Sequence, residues 1–277
     1  MPDLSYCAEQ IRRHDNDRFV CSLFAPPTER EALAALYAFN LEVARIPEVV
    51  SETLLGHMRL QWWRDCIAAI YEGAPPEHQV AAPLAEAVAR HELERDLFDR
   101  LLDARAADLD PDPPRDLAAL VRYADDTSGT LTGLALTVLG AADAAHAGRD
   151  VGIAWALTGL LRAVPFHARA RRCYLPADVC RDAGLDVESV FALRPGPELA
   201  QVVAVLAEAA ADRLRTARSR CHEVPRAALP ALLPATMAEH DLARLRRNRF
   251  DPFAIDHQKS GFSRLLRVTV NGHMGRF

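Results

Sequence analysis

Residues 26–47 read PPTEREALAALYAFNLEVARIP, and this stretch decides the class of fold. Apolar residues recur through it at helical spacing, and Ala and Leu, two of the strongest helix formers, predominate. Thr28 and Glu31 predict a capping box, in which the Thr hydroxyl accepts from the Glu31 amide and Glu31 reaches back. Pro47 must end or kink the helix, because proline donates no amide hydrogen bond. The stretch therefore predicts one helix bounded by prolines.

Helical periodicity continues along most of the chain. Further helices are predicted at 53–73, 83–109, 115–140, 145–164, 194–221 and 227–250, with Gly73 as a stop signal. The sequence contains neither strand alternation with hairpin turns nor an internal repeat. We therefore predict one all-α domain over residues 1–277, with about ten helices.

Charge and cysteine usage limit the class of protein. Lys and Arg number 33 against 38 Asp and Glu, a net charge of −5, so nucleic acid is not expected as a partner. Six cysteines without a CxxC pair are typical of reduced thiols rather than disulfides or a zinc site. The N-terminus is polar and acidic, and no apolar run approaches the roughly 20 residues of a spanning helix. The expected location is the cytoplasm, with peripheral contact to a membrane as the alternative.

Common catalytic motifs do not occur in the sequence, which contains no GxSxG, HExxH, glycine-rich phosphate loop or EF-hand. Two acidic clusters remain. Asp125 and Asp126 are neighbours whose side chains diverge by about 100° on a helix, which favours a solvated or N-terminal position over a metal site. Residues 108–114 read DLDPDPP, a proline-interrupted acidic segment that is typical of a turn.

One long window lacks acidic residues altogether. From Val151 to Ala177 there is no Asp or Glu, and within it residues 159–176 read GLLRAVPFHARARRCYLP. Two interpretations remain open. The arginines can form a solvated turn that complements the dipole of a helix C-terminus. Alternatively they form an anion site, because two guanidinium nitrogens bind a phosphate together without a metal.

Short motifs in several helices resemble one family. They are REALAALYAF at 30–39, LQWWRD at 60–65, Tyr123 followed by Ser128-Gly129-Thr130, LLR at 160–162, YLP at 174–176 and LARLRRNRFDPF at 242–253. Taken in order, they resemble the squalene/phytoene synthase family over most of the chain. The resemblance implies an all-α, isoprenoid-synthase-like helical bundle with a central cavity. The activity it implies is the head-to-head joining of two prenyl diphosphates.

Enzymes of this family carry two D-x-x-x-D clusters on facing helices. Residues i and i+4 share a helix face, so both carboxylates reach one Mg²⁺, which stabilises the departing diphosphate. Aligned on the motifs, the first cluster falls on Ala44 and Glu48 and the second on Ala163 and His167. Arg162 and His167 are expected to form a cationic wall that repels Mg²⁺. We therefore expect no catalytic residue, no metal and no cofactor, with Mg²⁺ retained only if the chain is an active enzyme.

The substitutions themselves resemble a non-catalytic branch of the family. The shared features are Phe39-Asn40-Leu41-Glu42, Ser51-Glu52, Arg162-Ala163-x-Pro165-x-His167, Arg171-Arg172, Leu175-Pro176 and Asp178-x-Cys180. This branch contains the mitochondrial assembly factors for respiratory NADH:ubiquinone oxidoreductase (complex I) and their bacterial relatives. The resemblance implies a scaffold whose partner is a complex I subunit or an assembly intermediate.

The altered pocket suggests a ligand of its own. We expect direct binding of an isoprenoid or anionic lipid headgroup, or of a partner's acidic segment, in place of a metal-bound diphosphate. The candidate ligand-binding residues are Tyr37, Arg45, Arg162, His167, Arg169, Arg171, Arg172 and Tyr174. For Tyr37, packing in the core is the alternative.

The C-terminal segment is a second candidate contact region. Residues 242–277 carry eight Arg and Lys against two Asp, and 259–270 read KSGFSRLLRVTV. One interpretation is a basic amphipathic helix on anionic lipid or on a membrane-bound partner. The other is a helix packed on the bundle with its arginines outward. Peripheral attachment would place the protein on the inner face of the cytoplasmic membrane.

Three functions remain open from the sequence. The first is a non-catalytic factor that assists complex I assembly. The alternative is an active head-to-head prenyl diphosphate transferase of the squalene/phytoene synthase type. The third is a module that binds a lipid or an isoprenoid and has no assembly role.

Overall fold

The computed structural model describes residues 4–50, 52–255 and 261–277, and throughout these ranges every regular element is helical. Sixteen α-helices form there: α1 (Tyr6–His14), α2 (Asn16–Ser22), α3 (Pro27–Ala44), α4 (Ile46–Val49), α5 (Thr53–Tyr71), α6 (Ala81–His91), α7 (Arg95–Arg105), α8 (Leu117–Ala124), α9 (Thr130–Val138), α10 (Ala145–Arg169), α11 (Ala177–Asp182), α12 (Val187–Phe191), α13 (Pro197–Ser219), α14 (Leu229–Leu232), α15 (Pro234–Arg247) and α16 (Gly261–Met274). A π-helical turn, Asp125–Gly129, joins α8 to α9. Ser51, and Lys259 and Ser260 of the C-terminal segment, lie outside the described ranges.

The predicted capping box at the start of α3 does not form. The helix begins at Pro27, with Pro26 as its N-cap and no side chain bonded to its first amides. Proline suits this position because it has no amide hydrogen to satisfy and its φ is already helical. The Thr28 hydroxyl instead donates to the carboxylate of the next residue. Arg30 ties the helix to the preceding turn, with hydrogen bonds of 2.8 and 2.9 Å to carbonyl oxygens there.

Helix α3 is buried on nearly every side. Leu33 and Phe39 are fully enclosed, and Phe39 packs edge-to-face on Trp63 with 5.0 Å between ring centroids. Burial of each such side chain contributes about 1.5–3 kcal/mol. The helix ends at Ala44, close to Pro47 as the sequence predicts. After Arg45, however, α4 begins at Ile46 with Pro47 in its first turn, so the proline starts a second short helix.

Helix α10 runs through the bundle against α8, α9, α13 and α15. The sequence predicts an end near residue 164, but the helix continues to Arg169 with Pro165 inside it. Contrary to expectation, one segment, 142–169, is long and apolar enough by composition to cross a membrane. Half of its apolar window is buried inside the protein. A helix covered by neighbours on several sides acquires the same composition as a membrane-spanning helix.

Gly152 sets the close approach of α10 to the π-helical turn. A Cβ at this position would lie 2.5 Å from the Ser128 carbonyl oxygen and 2.7 Å from the Gly129 Cα. Both are backbone atoms, which cannot give way without moving the turn. Asp125, at the start of that turn, therefore takes its position because residue 152 lacks a side chain.

We predict that Gly152→Ala destabilises the fold by about 1–3 kcal/mol, because the new methyl group overlaps backbone atoms. Gly159→Ala on the same helix is the matched control, since nothing lies within 4 Å of a Cβ there. Alanine at 159 should stabilise the helix by about 0.5–1 kcal/mol through reduced freedom of the unfolded chain. Urea unfolding followed by circular dichroism measures both changes. Equal effects of the two substitutions would contradict the close packing at Gly152.

Candidate functional site

A pocket of about 480 Å³ lies between the junction of α3 with α4 and the C-terminal part of α10. Its lining residues are Ala44, Pro47, Glu48, Arg105, Asp108, Tyr123, Leu160, Phe166, His167, Ala170, Arg172 and Tyr174. Five of the candidate metal-cluster and ligand-binding positions therefore meet in one pocket: Ala44, Glu48, His167, Arg172 and Tyr174.

Two walls of this pocket carry the positions of the expected acidic clusters. Ala44 and Glu48 line one wall, and His167 on α10 lines another. Glu48 is half-exposed and lies 3.4 Å from Arg45. Ala163 lies one turn before His167 on α10 and is partly buried. The walls therefore present a methyl group, an ion-paired carboxylate and an imidazole.

Beneath these walls lies a buried polar network around Asp108. Its carboxylate is 4% exposed and accepts hydrogen bonds from Tyr123 (2.6 Å), Tyr174 (3.3 Å) and Arg105 (3.0 Å). Arg105 also donates to the Tyr123 hydroxyl (2.9 Å) and to the Asn40 side-chain oxygen (3.4 Å). Burial raises the pKa of Tyr123 well above its ordinary value, so its hydroxyl keeps its proton and donates. Such pairing is what a buried carboxylate requires.

His167 packs on this network from α10. Its ring centroid lies 4.7 Å from that of Tyr174. Burial lowers the pKa of His167 to about 4, with Arg172 acting in the same direction and Asp108 opposing both. The imidazole is therefore neutral near pH 7 and adds no positive charge to the pocket.

Arg172 supplies the positive charge at the pocket surface. Five arginines are candidate ligand-binding residues, and all five lie within the described ranges. Of these five, only Arg172 lines this pocket. One of its terminal nitrogens donates to the backbone oxygen of Asp108. It makes no ion pair among the described residues, whereas Arg105 beside it is paired with Asp108. Burial raises the pKa of the neighbouring Tyr174 to about 12.

Arg162 does not lie in the pocket, so the expected cationic wall does not form. Its side chain lies 3.4 Å from Asp17 and 3.3 Å from Asp241. Positions 162 and 167 are separated by about 140° around a helix axis, since each residue turns the helix by about 100°. When α10 turns His167 towards the pocket, it therefore turns Arg162 towards α2 and α15.

Arg169, at the end of α10, and Arg171, just beyond it, also lie outside the pocket. Arg169 is exposed and makes no ion pair within the described part of the chain. Arg171 adopts a left-handed φ of 52°, which turns the chain beyond the helix. Its guanidinium lies 3.0 Å from the Glu188 carboxylate and 5.0 Å from the centre of the Phe191 ring. For these two residues the structure matches the interpretation of a basic turn at the surface.

Tyr37 and Arg45 lie outside the pocket as well. Tyr37 is buried in the core, with the Arg18 guanidinium 5.7 Å from its ring centre, and burial raises its pKa. Arg45 lines a separate pocket of about 380 Å³ together with Trp62 and Trp63.

The side chains that line the pocket between α3, α4 and α10 do not fit Mg²⁺. This ion takes an octahedral shell of oxygen ligands and is held by carboxylates that are free to bind it. Of the two carboxylates that line the pocket, Glu48 is paired with Arg45, and Asp108 is occupied by Arg105 and two tyrosines. Among the described residues, no group of three or more His, Cys, Asp and Glu side chains is placed to hold a metal ion.

Asp108 is the residue of the site that sequence reasoning missed. The sequence predicts a turn over 108–114, but Asp108 is buried in the short 3-10 helix Ala106–Leu109 that precedes the prolines. The available signal was Arg105, three residues earlier, because charges at this spacing lie on the same side of a helical turn. Its pairing with Tyr123 is a contact between distant segments and has no local signature.

Residues 11–271 of the chain match the squalene/phytoene synthase family. The chain is 36% identical over 274 residues to "NADH dehydrogenase (ubiquinone) complex I, assembly factor 6" of Mus musculus, covering 98% of this chain and 82% of that protein. It is also 34% identical over 232 residues to the presqualene diphosphate synthase of Zymomonas mobilis, covering 80% of this chain and 76% of that protein.

Among solved structures, the squalene synthase HpnC from Alicyclobacillus acidocaldarius is similar to this one. The TM-score is 0.78 at 20% identity, covering 89% of this chain and 94% of that one. At this identity the similarity shows the fold alone. The predicted all-α, isoprenoid-synthase-like bundle is thereby confirmed.

We predict that Asp108→Asn destabilises the protein by about 3–5 kcal/mol, because Arg105 is left buried without its counter-charge. Asp110→Asn is the matched control. Asp110 is exposed, and asparagine retains the oxygen that accepts from the Asp112 amide at 3.0 Å, so the change should stay within about 0.5 kcal/mol. Chemical denaturation measures both values. A cost for Asp108→Asn no larger than that for Asp110→Asn would show that the network is not stabilising.

A second prediction concerns pH. Unfolded His167 binds a proton near its ordinary pKa of 6.5, whereas the folded residue binds it near 4, so the unfolded state holds more protons between these values. The contribution of His167 to stability is therefore complete above pH 6.5 and is lost as pH falls towards 4. His167→Gln should flatten the pH dependence of the unfolding free energy in this window.

Burial also lowers the pKa values of His91 and His240, so these residues contribute to the pH dependence as well. The difference between the parent protein and His167→Gln isolates the contribution of His167. NMR titration of the His167 ring measures its pKa directly. A value near 6.5 would contradict the burial of the imidazole.

Proposed function

The chain belongs to the squalene/phytoene synthase family, and from this premise we propose that it is a non-catalytic member that assists the assembly of respiratory complex I. One observation carries the proposal. The α10 wall of the pocket presents the neutral imidazole of His167 where an enzyme of the family would present a carboxylate.

The relatives support the assembly role. The mouse protein whose name includes complex I assembly matches 98% of this chain, against 80% for the Zymomonas mobilis synthase. Identity is also slightly higher for the assembly factor, at 36% against 34%. The assembly role is therefore favoured for this chain over the synthase role, with a complex I subunit or assembly intermediate as its partner.

The chemistry of the pocket supports the absence of catalysis. Ionisation of an allylic diphosphate needs positive charge at the departing oxygens, which Mg²⁺ held by facing carboxylates supplies. Here Glu48 is ion-paired and Asp108 is enclosed by its donors. A pocket with this donor set binds a diphosphate without helping it to leave.

We propose that the pocket holds an apolar chain with an anionic end. Ala44, Leu160 and Phe166 contribute apolar surface, and Arg172 contributes positive charge at the same pocket. An arginine side chain binds phosphate directly, with no metal between them. This chemistry fits both a prenyl diphosphate and the headgroup of an anionic lipid.

The alternative is an active head-to-head prenyl diphosphate transferase. The similarity to a presqualene diphosphate synthase favours it, since the two chains share 34% identity over 232 residues. We prefer the assembly role because catalysis would need other side chains to hold Mg²⁺ in place of the two acidic clusters. The pocket does not offer such side chains, since Glu48 and Asp108 are already paired. As for location, we propose the cytoplasm, with the protein reaching complex I at the inner face of the cytoplasmic membrane.

We predict that a strain lacking this gene contains less assembled complex I and respires more slowly on NADH, and that the parent gene restores both. Arg172→Gln should restore them less well, because the pocket loses its unpaired charge. Arg169→Gln is the matched control and should restore them fully, since Arg169 is exposed at the end of α10, three residues before Arg172, and does not line the pocket. Native gel electrophoresis and NADH oxidation by membranes are the measurements. Unaltered complex I in the deletion strain would exclude the assembly role.

Assays on the purified protein separate the remaining possibilities. Incubation with farnesyl or geranylgeranyl diphosphate and Mg²⁺ should yield no condensation product, and a product would overturn the non-catalytic role. Titration calorimetry with the same diphosphates in Mg²⁺-free buffer should show binding that Arg172→Gln weakens and Arg169→Gln does not. Absence of binding there, and with phosphate-bearing lipids, would exclude the small-molecule ligand.

A further inference from the structure

The C-terminal helix α16 has two apolar faces, of which the bundle covers one. On the inner face Val268 is fully buried, and a Cβ at Gly272 would lie 2.5 Å from the Phe24 ring. The Asn271 side chain donates to the Thr236 hydroxyl of α15 at 3.0 Å. These contacts account for one side of the helix, and among the described residues the other side has no packing partner.

Ion pairs fix which face points outward. Arg264 is 8% exposed and lies 2.9 Å from Asp17 on α2 and 3.3 Å from Asp241 on α15. Its guanidinium also lies 5.9 Å from the centre of the Trp155 ring. Because a buried charge separated from its partners is costly, the helix cannot rotate about its axis to hide its outer face.

The outer face carries a row of exposed apolar side chains, with Ser263 and His273 beside them. Leu266, Val270 and Met274 follow one another at four-residue intervals and are 53%, 46% and 55% exposed. Leu265 beside them is 44% exposed, and Leu23 at the end of α2 is 46% exposed. The side chain after Leu23 contacts the ring of His273 on α16, which places Leu23 next to the same face. Exposed apolar side chains collected in this way mark a contact surface rather than a random surface position.

The charge around this face is positive. Residues 261–277 contain no Asp or Glu. Arg267 lines a groove of about 510 Å³ between α13, α15 and α16, together with Arg246 and Arg247. Within the described ranges Arg247 and Arg267 make no ion pair, whereas the one carboxylate lining the groove, Glu239, is held by Arg218 at 2.7 Å. Arg276 lies exposed just beyond the end of the helix.

We propose that α16 lies flat in the interface of an anionic phospholipid membrane, with its outer face among the acyl chains and its free arginines on lipid phosphates. Helices of this kind combine an apolar face with flanking arginines and bind more tightly as anionic lipid increases. A protein partner whose surface carries both charges would be met by both charges around the contact, whereas residues 261–277 carry arginines and no acidic residue. The inference does not depend on the proposed function, since an assembly factor, an enzyme and a lipid-binding module could all use a membrane contact.

Helix α5 provides an internal comparison. Leu54, Met58 and Trp62 on its surface are also spaced by four residues and are 68%, 60% and 41% exposed. Exposed charges of both signs accompany them, with Glu52 and Asp65 as well as Arg59 nearby on the helix. Both α5 and α16 therefore expose a row of apolar side chains. They differ in charge, because only positive charges accompany the row on α16.

The test is co-sedimentation of the full-length protein with vesicles. Vesicles of phosphatidylglycerol mixed with phosphatidylcholine should bind the protein, and pure phosphatidylcholine vesicles should bind it at least about tenfold more weakly. The double variants Leu266→Ser with Val270→Ser, and Arg267→Gln with Arg276→Gln, should each weaken binding to the anionic vesicles by about tenfold or more. Leu54→Ser with Met58→Ser is the matched control and should bind as the parent does. Circular dichroism verifies that each variant is folded.

Three outcomes would overturn the inference. They are no binding of the parent protein to anionic vesicles, equal binding to neutral vesicles, and equal losses for the α5 and α16 variants. A fourth result would be that the parent protein fails to bind vesicles while the α16 variants still lower the amount of complex I in cells. That combination would show that the outer face docks on a protein instead. Loss of complex I in the deletion strain without any vesicle binding would leave the proposed function standing and remove only this inference.

Discussion

A buried carboxylate has to be paired, and the arrangement of the pocket follows from how the chain meets this requirement at Asp108. Its donors come from three different parts of the chain: Arg105 ends α7, Tyr123 belongs to α8, and Tyr174 follows α10. Satisfying one side chain therefore holds these segments together beneath the pocket. His167 then packs on Tyr174 and becomes partly buried, which is why its pKa falls.

The same pairing limits what the pocket can do. Once Asp108 and Arg105 neutralise each other, the charge left for a ligand is that of Arg172, opposed at a distance by a Glu48 that is already paired. A carboxylate cage attracts a divalent cation first and an anion only through it. A single arginine among apolar walls attracts the anion directly. Under the proposed function, the pocket therefore recognises an anion directly, and the chain keeps the isoprenoid-synthase fold.

The sequence predicts local features well and contacts between distant segments poorly. The helix over 27–44 and its break before Pro47 follow from periodicity and proline chemistry, which act within a few residues. Whether Arg162 or Arg172 reaches the pocket depends on how α10 is rotated against the helices around it, which is set by contacts between distant segments. Asp125 illustrates the same limit. A solvated or N-terminal position is predicted, and Asp125 does begin the π-helical turn. It is not solvated, because Gly152 lets α10 approach closely and the carboxylate is buried 2.7 Å from Arg149.

Arg162 connects the two surfaces that distinguish this protein. It lies on α10, the helix that presents His167 to the pocket, yet it shares Asp17 and Asp241 with Arg264 of α16. Two arginines and two carboxylates in contact form a neutral cluster, and removing any one of them leaves a charge without its partner. If helix α16 left the bundle, it would take Arg264 away from Asp17 and Asp241 and leave one negative charge uncompensated beside an anionic surface that would repel it. Membrane contact through α16 is consequently made with the helix docked, and the docked state keeps α10 in the position that shapes the pocket.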